Sequence, residues 1–268
     1  MEPGTLTHEA IASWEAHAQS WDTSMGDDGN EYFSALELPA LKRMIMGPTG
    51  GSALDLAMAN SLARWLAQEG FSVIATDGAT AILEQAQTRT ALWREEGKIA
   101  KGQEISFHLL DMTSTDHWAQ FIASSHQTQD GFDVIVMNIA ITDIADLQPL
   151  AATLARLLKQ DGCFVATVLH PLFFTNPVTG QRKIEKSIIL SQYLNADNIP
   201  IFLVPPVAPE LFAPFLGAGL VLDALEEVNL DESFYDSSRK YAARNFTGHP
   251  KILAFRLRRG PVFAHERS

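Results

Sequence analysis

"SALDLAMANSLARWLAQEGFSVIATDG", residues 52–78, decides the fold. Residues 52–57 are a short apolar run, 60–69 carry helical spacing, and 72–77 are a second apolar run ending in an acid. A strand, a tight turn, a helix and a strand within 27 residues make a parallel crossover unit, which is right-handed in nearly all proteins. The same alternation continues outward: helix 79–96, strand 104–110, helix 115–124, strand 132–138, helix 146–158, strand 162–169. Short apolar runs separated by helices predict an α/β fold, a doubly wound and mostly parallel sheet. Two further runs, 220–227 and 251–258, bring the expected total to seven strands, with the last antiparallel.

Around this frame the chain divides into 1–47, two cap helices with a Gly/Asp-rich loop between them; 48–169, the alternating half; 170–208, a long proline-containing connection; and 209–268, a helix and the closing strands. All of it is expected to form one domain. A connection as long as 170–208 inside a compact domain is more often a lid than a plain loop.

The chain has 268 residues, 46% of them hydrophobic, and mean hydropathy 0.00, ordinary for a globular protein. With 32 acids against 20 Lys plus Arg, its charge of -12 repels phosphates and anionic surfaces, so neither nucleic acid nor membrane is an expected partner. The single cysteine, Cys163, lies in the apolar run "CFVATVL" and permits neither an internal disulfide nor a Cys-based zinc site. The histidines show no ligand spacing with acids, and no metal is expected. The acidic N-terminal stretch, without an uninterrupted apolar run, predicts no secretion signal and hence a cytoplasmic protein.

In an open α/β sheet, ligands sit beyond the carboxyl ends of the strands, where the strand order reverses. Asp55, Asp77 and Asp111 stand at three successive strand ends, and the helix that follows Asp55 offers free N–H groups. Asp77, 22 residues after Asp55, suits an acid that accepts hydrogen bonds from ribose hydroxyls. It would equally cap helix 79–96, as Asp111 would cap the turn "MTSTD" and Asn138 would merely end its strand. Asp143 and Asp146 in "ITDIAD" read as solvent-facing or capping. His170 follows strand 162–169 directly, and its near-neutral titration suits a general base, although His170-Pro171 also reads as a plain turn.

The run "ALDLAMANSLARWLAQEGFSVIATDGATAILEQA", followed by "LLDMTSTD" and "FDVIVMNIAITDIADLQPLAATLARLLKQDGCFVATVLHPLF", resembles a class I S-adenosylmethionine-dependent methyltransferase of the small-molecule branch. The flanks "WEAHAQSWDTSMGDDGNEYF" and "GAGLVLDALEE" are similar to that branch too. The resemblance implies a Rossmann-like methyltransferase fold and methyl transfer from S-adenosylmethionine to a hydrophobic small molecule, in secondary metabolism. It implies that Asp55 and the turn residues Ala57 and Ala59 hold the cofactor's amino end, and that Asp77 holds the ribose. Asp111 would face the adenine amino group with Met112 on the ring, and Asn138 would lie beside the reacting centre. Trp21, Tyr32 and Phe33 would cover the site, with Phe173 and Phe202 lining the substrate pocket and Asn138 and His170 as catalytic residues.

The chain departs from the family at the turn, where Asp-Leu-Gly-x-Gly-x-Gly is usual and Ala57, Ala59 and Ser61 stand instead. Alanine is common in the family at the first position, so the larger cost is expected at Ala59 and Ser61, where glycine serves close approach or positive φ. The lid segment "PIFLVPPVAPELF" also replaces an aromatic, His and Arg run by an apolar wall. These departures motivate a second reading, the same fold used for cyclisation, rearrangement or pericyclic chemistry with the cofactor structural or lost. A pseudoenzyme that binds a partner protein is a third. A nicotinamide dehydrogenase would want a glycine turn and a catalytic Tyr or Lys, which the sequence lacks.

Overall fold

The computed structural model describes residues 3–45, 50–58, 61–100, 102–170, 191–194, 200–203, 208–229 and 250–260. Ala59, Phe173 and most of the expected lid lie outside the described residues, and Phe202 is described only as backbone.

A seven-stranded sheet runs β3 (Ile105–Leu109), β2 (Ser72–Asp77), β1 (Ser52–Leu56), β4 (Phe132–Asn138), β5 (Leu158–Leu169), β9 (Ile252–Arg259), β8 (Leu220–Val228). The pairs among β1 to β5 are parallel, and β9 is antiparallel to both β5 and β8. The order reverses between β1 and β4, so the carboxyl ends of β1, β2 and β4 share one crevice. The expected seven strands are thus present, six running one way and one the other.

The strands are apolar on both faces because both faces are covered. In β4, Val134 and Val136 pack with Leu62, Leu66 and Phe71 on one side, while Ile135 and Met137 pack with Leu150, Leu154 and Phe164 on the other. The first side is covered by α2 (Leu38–Met44), α3 (Leu62–Gln68) and α4 (Thr80–Glu95). The second is covered by α5 (Thr115–Ala123), α7 (Gln148–Leu157) and α8 (Ala208–Gly217), with the short α6 (His126–Asp130) after α5. Helix α7 buries Leu150, Ala151, Leu154 and Leu157, the stripe that its sequence spacing predicts.

Four elements add to or differ from the sequence reading. The first cap helix, α1, spans Pro3–Met25. The second begins as a π-helical turn, Phe33–Glu37, before α2. Inside the expected lid, β6 (Ser191–Leu194) and β7 (Pro200–Leu203) pair as an antiparallel hairpin of their own. Strand β5 also starts four residues earlier than expected, where Leu158 pairs with Phe132 before a register shift.

Helix α1 is fastened over the carboxyl edge. Arg89 of α4 clamps the Asp22 carboxylate through Nε at 2.9 Å and Nη2 at 2.5 Å, and reaches Asp27 at 2.6 Å. Glu15 accepts hydrogen bonds from the amides of Thr80 (2.5 Å) and Ala81 (2.9 Å), capping α4, whose own N-cap residue Ala79 has no side-chain acceptor.

Candidate active site

Beneath α1, at the ends of β1 to β4, lies a cavity of about 130 Å³, partly open to solvent. Its walls are Ala57 after β1, Asp77 and Gly78 at the end of β2, Asp111 and Met112 after β3, and Asn138, Ile139, Ala140, Asp143 and Ile144 at the end of β4 and beyond, with Thr7, Ile11, Trp14 and Trp21 as the roof. The roof packs tightly on Gly78, where a Cβ would lie 3.2 Å from Ile11 Cγ1.

Three carboxyls cluster here: Asp77 and Asp143, half-buried on the cavity wall, and Asp55, buried and not lining it. Asp77 Oδ1 accepts from the Ala79 amide at 2.9 Å. Burial pushes its carboxyl up to about 7, with the Ala79 and Gly78 amides opposing and the Glu15 charge adding to the rise. Asp55 is almost wholly buried, and neither of its oxygens makes a hydrogen bond of ordinary geometry. Burial, then the Asp77 charge, holds Asp55 well above the usual range, against a weak pull from the Ala63 amide. Asp143 accepts from Trp14 Nε1 at 3.1 Å through Oδ2, while its buried Oδ1 has no hydrogen bond. Burial raises it to about 7, with Trp14 opposing and the Asp77 charge adding.

Asp111 Oδ1 holds the following turn through the Thr113 amide (2.9 Å) and hydroxyl (2.7 Å), and the Met112 carbonyl accepts from Trp118 Nε1 at 2.8 Å. Asn138, 8% exposed, donates Nδ2–H to Glu37 Oε2 at 2.5 Å and accepts the Thr167 hydroxyl at 2.5 Å on Oδ1. Burial lifts Glu37 to about 7 against the opposing Asn138 hydrogen bond.

The backbone at this edge is strained in two places. Ala57 has φ +53° and Ile139 φ +60°, both in the left-handed region that favours glycine. Strain is therefore found at the first of the three positions where the family usually has glycine, the one expected to tolerate the change. Ser61, expected to be costly, has an ordinary φ of -96° at the start of α3.

Asp77, Asp111, Met112, Asn138, Ala57 and Trp21 are thus brought together on one cavity, with Asp55 below it. His170 is not on that cavity. Its amide donates to the Lys251 carbonyl at 2.8 Å, extending the β5–β9 ladder instead of turning away, and its ring Nε2 pairs with Glu227 of β8 at 3.1 Å. The ring is 2% exposed, and burial lowers its pKa, with Glu227 opposing. Phe33 is buried in the core and Tyr32 packs against that core, so neither lines the cavity. The π turn that carries Phe33 aims it at the sheet.

Sequence reasoning missed Asp143, Trp14 and Glu37. Trp14 had a legible signal, since Trp14 and Trp21 are two helical turns apart on one face and meet edge to face at 5.2 Å. Asp143, read as solvent-facing or capping, faces inward because the left-handed Ile139 starts a tight 3-10 turn, Ala140–Asp143, which folds the chain back over the strand ends.

No protein-family model matches the chain, and no curated protein matches it in sequence. Solved structures do. An S-adenosylmethionine-dependent methyltransferase from Mesorhizobium loti is 19% identical, with TM-score 0.60 over 83% of this chain and 97% of that one. Magnesium protoporphyrin IX methyltransferase from Synechocystis, solved with bound SAH, is 13% identical, with TM-score 0.59 over 95% and 100%. The CcbJ methyltransferase from Streptomyces caelestis is 14% identical, with TM-score 0.58 over 94% and 99%. The chain therefore has the Rossmann-like fold of S-adenosylmethionine-dependent methyltransferases. Among the described residues, no helix is long and apolar enough to cross a membrane.

Proposed function

We propose that the protein is an S-adenosylmethionine-dependent methyltransferase acting on a hydrophobic small molecule, of the kind handled in secondary metabolism. The observation that carries this reading is the set of carboxyls at the switch point of the sheet, Asp77 and Asp143 half-buried on the wall of a mostly apolar cavity and Asp55 buried close to Asp77. Uncompensated buried acids are costly, and a ligand offering hydroxyl donors and positive charge would relieve them. In this reading Asp77 takes the ribose hydroxyls, Asp111 and Met112 border the adenine, and Asp55, Ala57 and Asn138 lie toward the methionine part. When bound, S-adenosylmethionine supplies an electrophilic methyl group. The chain's own contribution is positioning under α1 and exclusion of water by Trp14, Trp21, Ile11 and Ile144. With His170 engaged in the β5–β9–β8 packing, no proton transfer is assigned to it.

A second reading keeps the fold and gives up the transfer, the cavity serving cyclisation or rearrangement. The left-handed Ala57 favours it, because strain at the cofactor turn is what an abandoned binding loop would tolerate. Calorimetric titration with S-adenosylmethionine and S-adenosylhomocysteine tests both. The methyltransferase reading expects micromolar binding of each, weakened roughly 10- to 100-fold in Asp77→Ala by loss of a charged hydrogen bond. No binding at millimolar ligand would overturn it and leave the second reading standing.

A further inference from the structure

We propose that Asp143, held in place by Trp14, is a ligand-binding residue that makes the cavity select a positively charged donor over the neutral thioether left after transfer. The inference rests on the methyltransferase reading for the identity of the ligand, and on the cavity wall for the charge it prefers.

Acids reach the cavity from three directions: Asp77 ends β2, Asp111 follows β3, and Asp143 ends the 3-10 turn after β4. Among the described residues that line it there is no Lys, Arg or His. Asp111 spends Oδ1 on the turn that follows it. Asp143 is only half engaged: Trp14 Nε1 donates to Oδ2 at 3.1 Å, and the buried Oδ1 has no hydrogen bond. It lies near enough to Asp77 for that charge to disfavour its own ionised form. Asp55, 1% exposed and with neither oxygen in a hydrogen bond of ordinary geometry, feels the Asp77 charge as well. Like charges this close, with no cation among them, are costly. A positive group on the ligand relieves them, and a neutral ligand of the same shape does not.

The basic side chains that fasten α1 are committed elsewhere. Arg89 and Lys98 pair with Asp22, Asp27 and Glu96, and Arg64 donates to the Asp27 carbonyl and lies over the Trp93 ring. The roof adds a second attraction of the same sign. Trp14 and Trp21 meet edge to face at 5.2 Å, and indole faces attract cations, most strongly where water is excluded. Trp14 thus serves both as aromatic wall and as the donor that holds the carboxylate.

S-adenosylmethionine and S-adenosylhomocysteine share the adenosine and the zwitterionic amino-acid end, and differ by a methyl group and one positive charge. In transfer the methyl–sulfur bond breaks with its electron pair left on sulfur, and the methyl bonds to a lone pair of the acceptor. The ligand left under α1 is neutral, and the acids that favoured its charged form hold it less well. The charged wall therefore favours exchange of spent for fresh cofactor.

The test is calorimetric titration at pH 8, above the value of about 7 at which Asp77 and Asp143 titrate. The ligands are S-adenosylmethionine, sinefungin, which carries a protonated amine in place of the sulfonium, and S-adenosylhomocysteine. In the wild type both cations should bind about tenfold or more tighter than S-adenosylhomocysteine. Asp143→Asn keeps an acceptor for Trp14 and removes only the charge. It should cut that ratio by about threefold or more and leave S-adenosylhomocysteine affinity within about twofold. A wild-type ratio near one, or a ratio unchanged by the substitution, would overturn the proposal. So would an equal loss for all three ligands, which marks a merely structural role. Should Asp143→Asn fail to fold, Trp14→Phe removes the donor that holds the carboxylate and should also lower the ratio, and an unmoved ratio would refute the shared site. S-adenosylhomocysteine binding without any charge preference defeats this inference alone, whereas no binding of the three at millimolar ligand overturns the methyltransferase reading with it.

Discussion

Ala57→Gly should make the protein more stable, against the usual direction of a mutation to glycine. Ala57 has φ +53°, where an L side chain costs about 1–2 kcal/mol relative to the right-handed regions. Glycine removes that cost, and its freer unfolded chain returns roughly 0.4–1 kcal/mol. The net expectation is about 0.5–1 kcal/mol of stabilisation. For a chain of this size that is about 1–4 °C in Tm. Differential scanning calorimetry at a single pH measures it, with Ala57→Val as the opposing control, because a branched Cβ at positive φ adds to the strain. Ala57 lines the cavity, so S-adenosylhomocysteine affinity should be unchanged or better in the glycine variant. A Tm equal to or below that of the wild type would refute the strain at this turn.

Three other perturbations follow from the described contacts. Glu15→Ala removes the acceptor of the Thr80 and Ala81 amides and should cost about 1–2 kcal/mol in denaturant unfolding, with α1 becoming the first segment to exchange its amide hydrogens. Glu37, Asp77 and Asp143 each titrate near 7 in the folded chain and near 4 when unfolded, so the folded chain keeps protons that the unfolded chain has released. Ligand-free stability should therefore be greatest below about pH 4 as far as these groups are concerned, fall as pH rises to about 7, and level off above. Asp143→Asn should flatten part of that fall and gain on the order of 1 kcal/mol at pH 8, and a slope unchanged by the substitution would contradict it. His170→Ala should lower Tm through the lost packing between β5, β9 and β8 while leaving S-adenosylhomocysteine affinity within about twofold, since the ring faces Glu227 and not the cavity.

The parallel half of the fold was legible because its signal is local. "FDVIVMN" and "SALDL" are apolar at successive positions, which only a strand covered on both faces needs, and the acids at their ends mark the crevice. The hairpin of β6 and β7 was not legible, since two four-residue strands, the second opening on Pro200, carry no period long enough to read. Glu37 escaped for a different reason. One π turn moves every following residue off the 3.6-residue phase, so periodicity assigns the wrong face to the side chain that ends it. His170 and Asp143 lie elsewhere than the sequence suggested because both lie just after strands, where one backbone angle decides the direction. The ladder to Lys251 carries His170 outward to β8, and the left-handed Ile139 brings Asp143 in.

Strand β9 is the latest of the seven in sequence, yet it lies inside the sheet, between β5 and β8. During synthesis β5 is therefore complete for more than 80 residues of chain before its neighbour exists, with the apolar Phe164, Val165, Ala166 and Val168 along an open edge. An open apolar edge is what chains pair with when they aggregate. The nascent protein is most exposed to misassembly after its candidate site has been built and before its sheet has been closed.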